Sequence, residues 1–314
     1  MGQYALRRIA LLVPVLVGVS LIVFFILRII PGDVARLMLG DQATPEDLAS
    51  FRQSMGLDRP LWEQYLTWVG NIPRGDMGTS LWTKRTVLEE FSSSLPVTLE
   101  LAALAVLVAV CFGVPLGVLS AVRQDTWIDY VSRLLSISGL AMPGFWLGTL
   151  LLLIPSLFFQ WVPPLVYEPL TRDPLTNLQQ FFLPALALGA SMAALIARLM
   201  RSSLLEVMRQ DYMRTAWAKG LQERAGIARH ALKNAAIPVL TLVGNQFGHF
   251  LGGAVIMETI FSLPGVGRLT VDAIHQRDFV LVQGAVVLLA LLFTVINLLV
   301  DLTYSYLDPR IRYQ

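Results

Sequence analysis

The chain has 314 residues, 55% of them hydrophobic and only 15% charged, with a formal net charge of +2. Soluble domains usually carry about 25% charged residues, so soluble-enzyme, disordered and fibrous classes are excluded, and so small a net charge gives no footprint for nucleic acid. A single cysteine, Cys111, makes no internal disulfide.

Residues 9–27 form the first of six long runs free of Asp, Glu, Lys and Arg. A bilayer core of about 30 Å needs about 20 helical residues, so this run is read as a membrane helix. Arg7 and Arg8 precede it, and Pro31-Gly32-Asp33 follows without a small-x-small cleavage pattern. An uncleaved anchor is therefore expected in place of a signal peptide.

Residues 28–100 contain helix punctuation and read as a small extracytoplasmic subdomain. Thr44 is placed to cap a helix that has Pro45 at its first position and Glu46 and Asp47 at its positive end. Leu48, Phe51 and Met55 mark one face of it, and Gly56 stops it. A second helix begins near Pro60, with Leu61, Tyr65, Trp68 and Val69 at helical spacing, while Trp62 and Trp82 suit a membrane interface. The segment either caps the helix bundle or docks an external protein.

The later runs are residues 101–122, 134–167, 174–197, 235–257 and 279–300. The third is longer than one span requires. With Pro155, Pro163 and Pro164 in its second half, a helix over 134–159 followed by an interfacial loop is expected. Lipid cannot solvate an open backbone, so the expected fold class is an all-α polytopic membrane protein with six transmembrane helices. If the helices alternate, both termini share one side with 123–133 and 198–233. That side carries fourteen basic residues against three in the short loops opposite. Both termini are expected in the cytoplasm.

The connection 198–233 is far longer than a helical hairpin needs and holds eight basic and three acidic residues. Leu204, Leu205, Met208, Tyr212 and Ala216 are expected along one helix face, with Gly220 ending or bending that helix and 222–232 returning toward Asn234 and Pro238. The segment either projects a short helix into the cytoplasm or anchors on anionic lipid.

No G-x-x-x-x-G-K-[ST] phosphate loop occurs, and Gly265-Val266-Gly267-Arg268 lacks the lysine and hydroxyl such a loop requires. His230, His249 and His275 are too scattered for a metal pair, and no G-x-S-x-G elbow is present. No catalytic residue, metal site or resident cofactor is expected. Within the apolar runs, Asn245, Gln246, His249 and Asn297 are polar, with Glu100, Arg198, Glu258 and Asp301 at span ends. The first four either line a hydrated translocation path or make interhelical hydrogen bonds. Gly244, Gly248 and Gly252 form a G-x-x-x-G-x-x-x-G row, and Gly113 with Gly117 and Gly144 with Gly148 repeat the spacing, which suits close helix packing.

The segment Asp211-Tyr212-Met213-Arg214-Thr215-Ala216-Trp217-Ala218-Lys219-Gly220-Leu221, followed by His230-Ala231-Leu232-Lys233-Asn234-Ala235-Ala236-Ile237-Pro238, resembles the cytoplasmic EAA loop of bacterial ABC importer permeases. Pro31-Gly32-Asp33, Gly56-Leu57-Asp58-Arg59-Pro60-Leu61, Gly75-Asp76-Met77-Gly78, Leu95-Pro96-Val97-Thr98-Leu99-Glu100-Leu101-Ala102, Pro264-Gly265-Val266-Gly267, Arg277-Asp278 and Asp308-Pro309-Arg310 extend the likeness to the B-type permeases of the dipeptide, oligopeptide and nickel branch. Where the general motif has an acid before two alanines, this chain has Arg214-Thr215-Ala216, with Asp211 the nearby acid.

The resemblance implies a type I importer permease in the bacterial inner membrane. Residues 1–30 would be the tail and first helix, 31–94 the extracytoplasmic subdomain, 95–300 the permease core with a coupling loop near 198–237, and 301–314 a cytoplasmic tail. It implies that Asp211, Tyr212, Arg214, Thr215, Ala216, Lys219, Gly220 and Leu221 couple to a separate ATPase. It also implies a homologous second permease, two ABC ATPases that bind the ATP and magnesium, and an extracytoplasmic binding protein. Peptide is the expected substrate, with nickel, glutathione or another small solute as alternatives, and a secondary transporter or channel as the rival reading.

Overall fold

The computed structural model describes residues 2–29, 35–36, 43–54 and 56–307. Among these, side chains of residues 2–10, 51, 54, 245, 247, 249, 251 and 301–307 lie outside the description, as do the motifs Pro31-Gly32-Asp33 and Asp308-Pro309-Arg310. The helices are α1 (Gly2–Ile29), α2 (Pro45–Ser54), α3 (Leu61–Asn71), α4 (Val87–Val122), α5 (Trp127–Ala141), α6 (Gly144–Phe159), α7 (Pro174–Met208), α8 (Asp211–Ala218), α9 (Leu232–Ile260), α10 (Val266–His275) and α11 (Phe279–Leu307). By contacts they fall into two compact units, Met1–Leu95 with Leu269–Leu298, and Pro96–Arg268 with Leu299–Gln314.

Among the described residues, four helical stretches are long and apolar enough to cross a membrane: Leu11–Ile29, Val87–Val122, Pro174–Met208 and Phe279–Val300. A fifth arises if α5 and α6 form one span, although they meet at 104°. The run expected at 235–257 falls within α9, part of whose side chains lie outside the description. The multi-pass, all-helical character stands; a count of six spans is not reached.

The continuous helix expected over 134–159 is corrected. Met142 is extended (ψ 125°) because the ring of Pro143 excludes the α region for the residue before it, and the chain turns there before α6 begins. Pro155 sits inside α6, within the span expected to be helical. The helix does end at Phe159, where Gln160 adopts a left-handed conformation at φ 50°.

In the first unit, α1 buries Phe24 completely against Tyr65 and Trp68 of α3, with ring centroids 5.3 and 6.2 Å away. Ser20, inside the apolar run, shares a 2.9 Å hydrogen bond with the Tyr65 hydroxyl. Thr44 and Asp47 cap α2 reciprocally: the Thr44 hydroxyl accepts from the Asp47 amide, and the Asp47 carboxylate accepts from the Thr44 amide and hydroxyl. Gly56 follows α2 at φ 66°, and α3 starts directly after Pro60. The buried Asp278 carboxylate accepts from the Ser80 hydroxyl at 2.6 Å and the Leu81 and Leu281 amides at 3.1 Å, tying the loop before α4 to the start of α11.

In the second unit, α7 packs on α4, α5, α6 and α9. Gly113 and Gly117 of α4 lie so close to α7 that a β-carbon there would sit 2.6 Å from the Ala193 carbonyl oxygen and 2.5 Å from that of Ala197. Gly189 of α7 is equally close to the Ala105 carbonyl. Lipid offers no hydrophobic drive between helices, so these backbone contacts supply the attraction. Val97, Leu101, Phe181, Leu183, Met257 and Phe261 are among the residues of the buried core.

Candidate functional site

The long connection, 198–233, begins inside α7, which stops at Met208. The Arg209 amide bonds the Glu206 carbonyl, Gln210 is extended (ψ 152°), and α8 starts anew at Asp211, an acid at the positive end of the new helix. The single helix face expected from Leu204 to Ala216 is therefore divided between α7 and α8. Gly220, at φ 84°, follows α8 and donates its amide to the Trp217 carbonyl. A single turn, Glu223–Gly226, and a π-helical stretch, Ile227–Ala231, return the chain into α9.

The segment is anchored on one side and bare on the other. Met213 is fully buried, and it meets Trp217 and Leu221 around Gly226, where an added β-carbon would lie 3.3 Å from the Trp217 Nε1 and 3.5 Å from Met213 and Leu221 side-chain carbons. Asn234 of α9 donates to the Tyr212 hydroxyl at 2.9 Å. On the opposite side, Asp211, Arg214, Thr215, Lys219 and Gly220 are exposed, Arg214 pairing only loosely with Asp211 at 3.5 Å. Ala216 is half-buried. The buried Trp217 Nε1 has no acceptor. A face built this way presents charged and hydroxyl side chains on a short helix whose apolar side is already occupied.

On α7, ahead of this segment, lies a polar lock that the sequence reading missed. Asp129 of α5 is fully buried and accepts from Arg201 of α7 through Nε and Nη2, both at 2.8 Å, from the Ser120 hydroxyl, from the Asp125 amide and from Arg133 at 3.1 Å. It joins the α4–α5 turn to α7 about two turns before the helix ends. Seventy-two positions separate Asp129 from Arg201, and no local pattern links them.

Glu258, read as a span-end residue, is fully buried. Its carboxylate accepts from the Thr98 hydroxyl at 2.6 Å and the Arg268 amide at 3.0 Å, and the Val266 amide donates to that hydroxyl at 2.9 Å. Thr98 and Gly265, from two motifs of the resemblance, thus meet around one carboxylate.

Gln246 is half-buried in the second unit, Asn297 half-buried in the first, and the Asn245 and His249 side chains lie outside the description. In the glycine row, Gly248 is buried, but Gly252 is exposed with open space around its β-position; the neighbouring Gly253 is the one that meets Leu188.

Comparison with known proteins adds the following. Residues 113–313 match the family model for the binding-protein-dependent transport system inner membrane component, and residues 1–102 match the N-terminal model of binding-protein-dependent transport system membrane components. The chain is 42% identical to the dipeptide transport system permease protein DppB of Alkalihalophilus pseudofirmus, and 40% identical to the glutathione transport system permease protein GsiC of Salmonella choleraesuis, in each case over the whole of both chains. A crystal structure of an amino acid ABC transporter with histidines superposes with a TM-score of 0.53 at 19% identity, covering 71% of this chain and 95% of the other, and supports the fold. On these matches the chain belongs to the family of inner membrane components of binding-protein-dependent transport systems, as a B-type ABC importer permease.

Proposed function

We propose that this permease subunit passes small peptides across the bacterial inner membrane, with both termini in the cytoplasm, and takes its power stroke through the exposed face of α8. The observation that carries the coupling role is the two-sided build of residues 211–221: Met213 roots the helix, while Asp211, Arg214, Thr215 and Lys219 are left bare. The sequence has no phosphate loop, so ATP and magnesium belong to partner ATPases. A second, homologous permease supplies the other half of the path, two ATPases seat the coupling helices, and a binding protein delivers substrate to residues 31–94. ATP drives the change only through its different affinity for the two states of the assembly.

Peptide is preferred as cargo because the relatives include a dipeptide and a glutathione permease, and glutathione is itself peptide-like. The test is ATP hydrolysis by the reconstituted complex. Peptide-loaded binding protein is expected to stimulate it, and replacement of residues 215–220 by a Gly/Ser linker is expected to abolish the stimulation with insertion intact. Stimulation that survives this replacement overturns the coupling role.

A further inference from the structure

The first unit contains a cleft of about 390 Å3 bordered by Arg28, Arg59, Gln64, Thr67, Trp68 and Gln283. Among the described residues that line it, none is acidic. Arg28, at the end of α1, is half-buried with its guanidinium carbon 3.3 Å from the centre of the Phe24 ring. Its hydrogen-bond acceptors are all neutral: the Phe24 carbonyl at 3.1 Å, the Gln64 side-chain oxygen at 3.1 and 3.4 Å, and the Gln283 side-chain oxygen at 3.5 Å. Two of those bonds, at 3.4 and 3.5 Å, are longer than the usual range of about 2.7–3.2 Å. A guanidinium offers five donors in a rigid fork, and a partly desolvated one without an anion is held at a cost that a bidentate carboxylate removes.

The fork is also held in place. Gln64 gives its amide N–H groups to the Leu57 and Arg59 carbonyls at 3.2 and 2.8 Å, which turns its oxygen toward Arg28. Phe24 is wedged between Tyr65 and Trp68 beneath the guanidinium. Arg59, the second cation of the cleft, already pairs with Glu63 at 3.2 Å. Arg28 has no ion-pair partner among the described residues.

We infer that this cleft is a carboxylate-recognition site, in which Arg28 takes the free carboxylate of a small peptide. The inference rests on the peptide reading above and deepens it, because it places a selective contact on the permease itself. Gln283 is the contact that yields, since its bond is the longest; Trp68 and Thr67 border the space for the remainder of the solute.

The test is saturation-transfer NMR on the assembled complex in lipid nanodiscs, without binding protein or ATP, using dialanine, dialanine amide and inorganic phosphate as probes. Dialanine is expected to bind, the amide to bind about tenfold or more weakly, the equivalent of one charge-assisted hydrogen bond, and phosphate not to compete. Arg28→Gln is expected to erase the difference between dialanine and its amide, and Arg28→Lys to reduce it. If Arg28→Gln fails to assemble, the wild-type comparison of dialanine with its amide and the Arg28→Lys variant still decide. Equal binding of the two dialanines, no binding of either, equal competition by phosphate, or undiminished discrimination in an assembled Arg28→Gln or Arg28→Lys complex overturns the site. The readout needs no ATP. Stimulation of ATP hydrolysis by peptide-loaded binding protein tests the peptide reading separately: stimulation without discrimination between dialanine and its amide overturns this site alone, whereas absence of stimulation overturns the peptide reading.

Discussion

Arg201 grips Asp129 with two 2.8 Å bonds, one to each carboxylate oxygen, across a contact in which Asp129 is fully buried and Arg201 about one-fifth exposed. Desolvation opposes burying this carboxylate; the bidentate guanidinium, the Ser120 hydroxyl and the Asp125 amide offset it. Removing Arg201 leaves the buried Asp129 carboxylate with only the partly exposed Arg133 as counter-charge. Arg201→Met is expected to destabilise the second unit by about 3–5 kcal/mol, read as a fall in thermal unfolding temperature in detergent. The double variant Asp129→Leu/Arg201→Met is expected to lose less than the sum of the two single changes. Additive losses would show that the two residues act independently.

Thr98 holds Glu258 and the Val266 amide with one hydroxyl, accepting from one and donating to the other. Thr98→Val keeps the shape and removes both bonds, and is expected to cost about 1–3 kcal/mol for the polar groups left unpaired. Thr98→Ser is expected to restore most of it. Gly265→Ala would set a β-carbon 2.2 Å from the Glu258 carboxyl carbon, and overpacking of this kind costs about 1–3 kcal/mol. Unfolding of purified protein in detergent measures all three. A neutral Thr98→Val would mean that the carboxylate does not depend on this hydroxyl.

What was legible in the sequence was what depends on neighbours in the chain. Thr44, Pro45, Asp47 and Gly56 mark α2 at fixed offsets from its ends, and Pro60 marks the start of α3. The break at Met142 and Pro143 was legible in principle from the proline rule, but a search for uncharged runs passes over it. The Asp129–Arg201 and Asp278–Ser80 contacts join residues 72 and 198 positions apart, and no periodicity encodes them. Likewise, the α7–α8 break at Gln210 has no glycine or proline to announce it. The bare face of α8 was legible only as a segment, because which of its residues are rooted depends on where Gly226 returns the chain.

The Asp47 carboxyl sits below its ordinary range because the Thr44 hydroxyl and amide donate to it, and Asp173, at the start of α7, is lowered in the same way by Thr176 and Leu175. A carboxyl depressed in the folded state lends stability that is fully present above its unfolded pKa of about 3.9 and is lost as pH falls through the lower folded value. The protection factor of the amides at the start of α2, in which the intrinsic pH dependence of exchange is divided out, is therefore expected to hold down to about pH 4 and to fall below it. Thr44→Val should flatten that profile. An unchanged profile would assign the cap to the backbone alone.

Met213 is the one fully buried residue of α8, and under the proposed coupling role its loss would be a functional event as well as a structural one. Met213→Ala is expected to remove about 2–5 kcal/mol locally, because Trp217, Leu221 and Gly226 then close on a smaller side chain. Insertion and the helices on either side of the loop are expected to persist, so the variant should still assemble but respond poorly to peptide-loaded binding protein. Met213→Leu, nearly equal in volume, is expected to retain the response. Trp217→Phe tests the other half of the argument: the indole N–H is buried without an acceptor, so its removal costs this chain little. A fall in stimulated ATP hydrolysis for Trp217→Phe with unchanged stability would show that the indole sets the angle at which α8 presents its bare face, whereas unchanged hydrolysis would leave it a packing group.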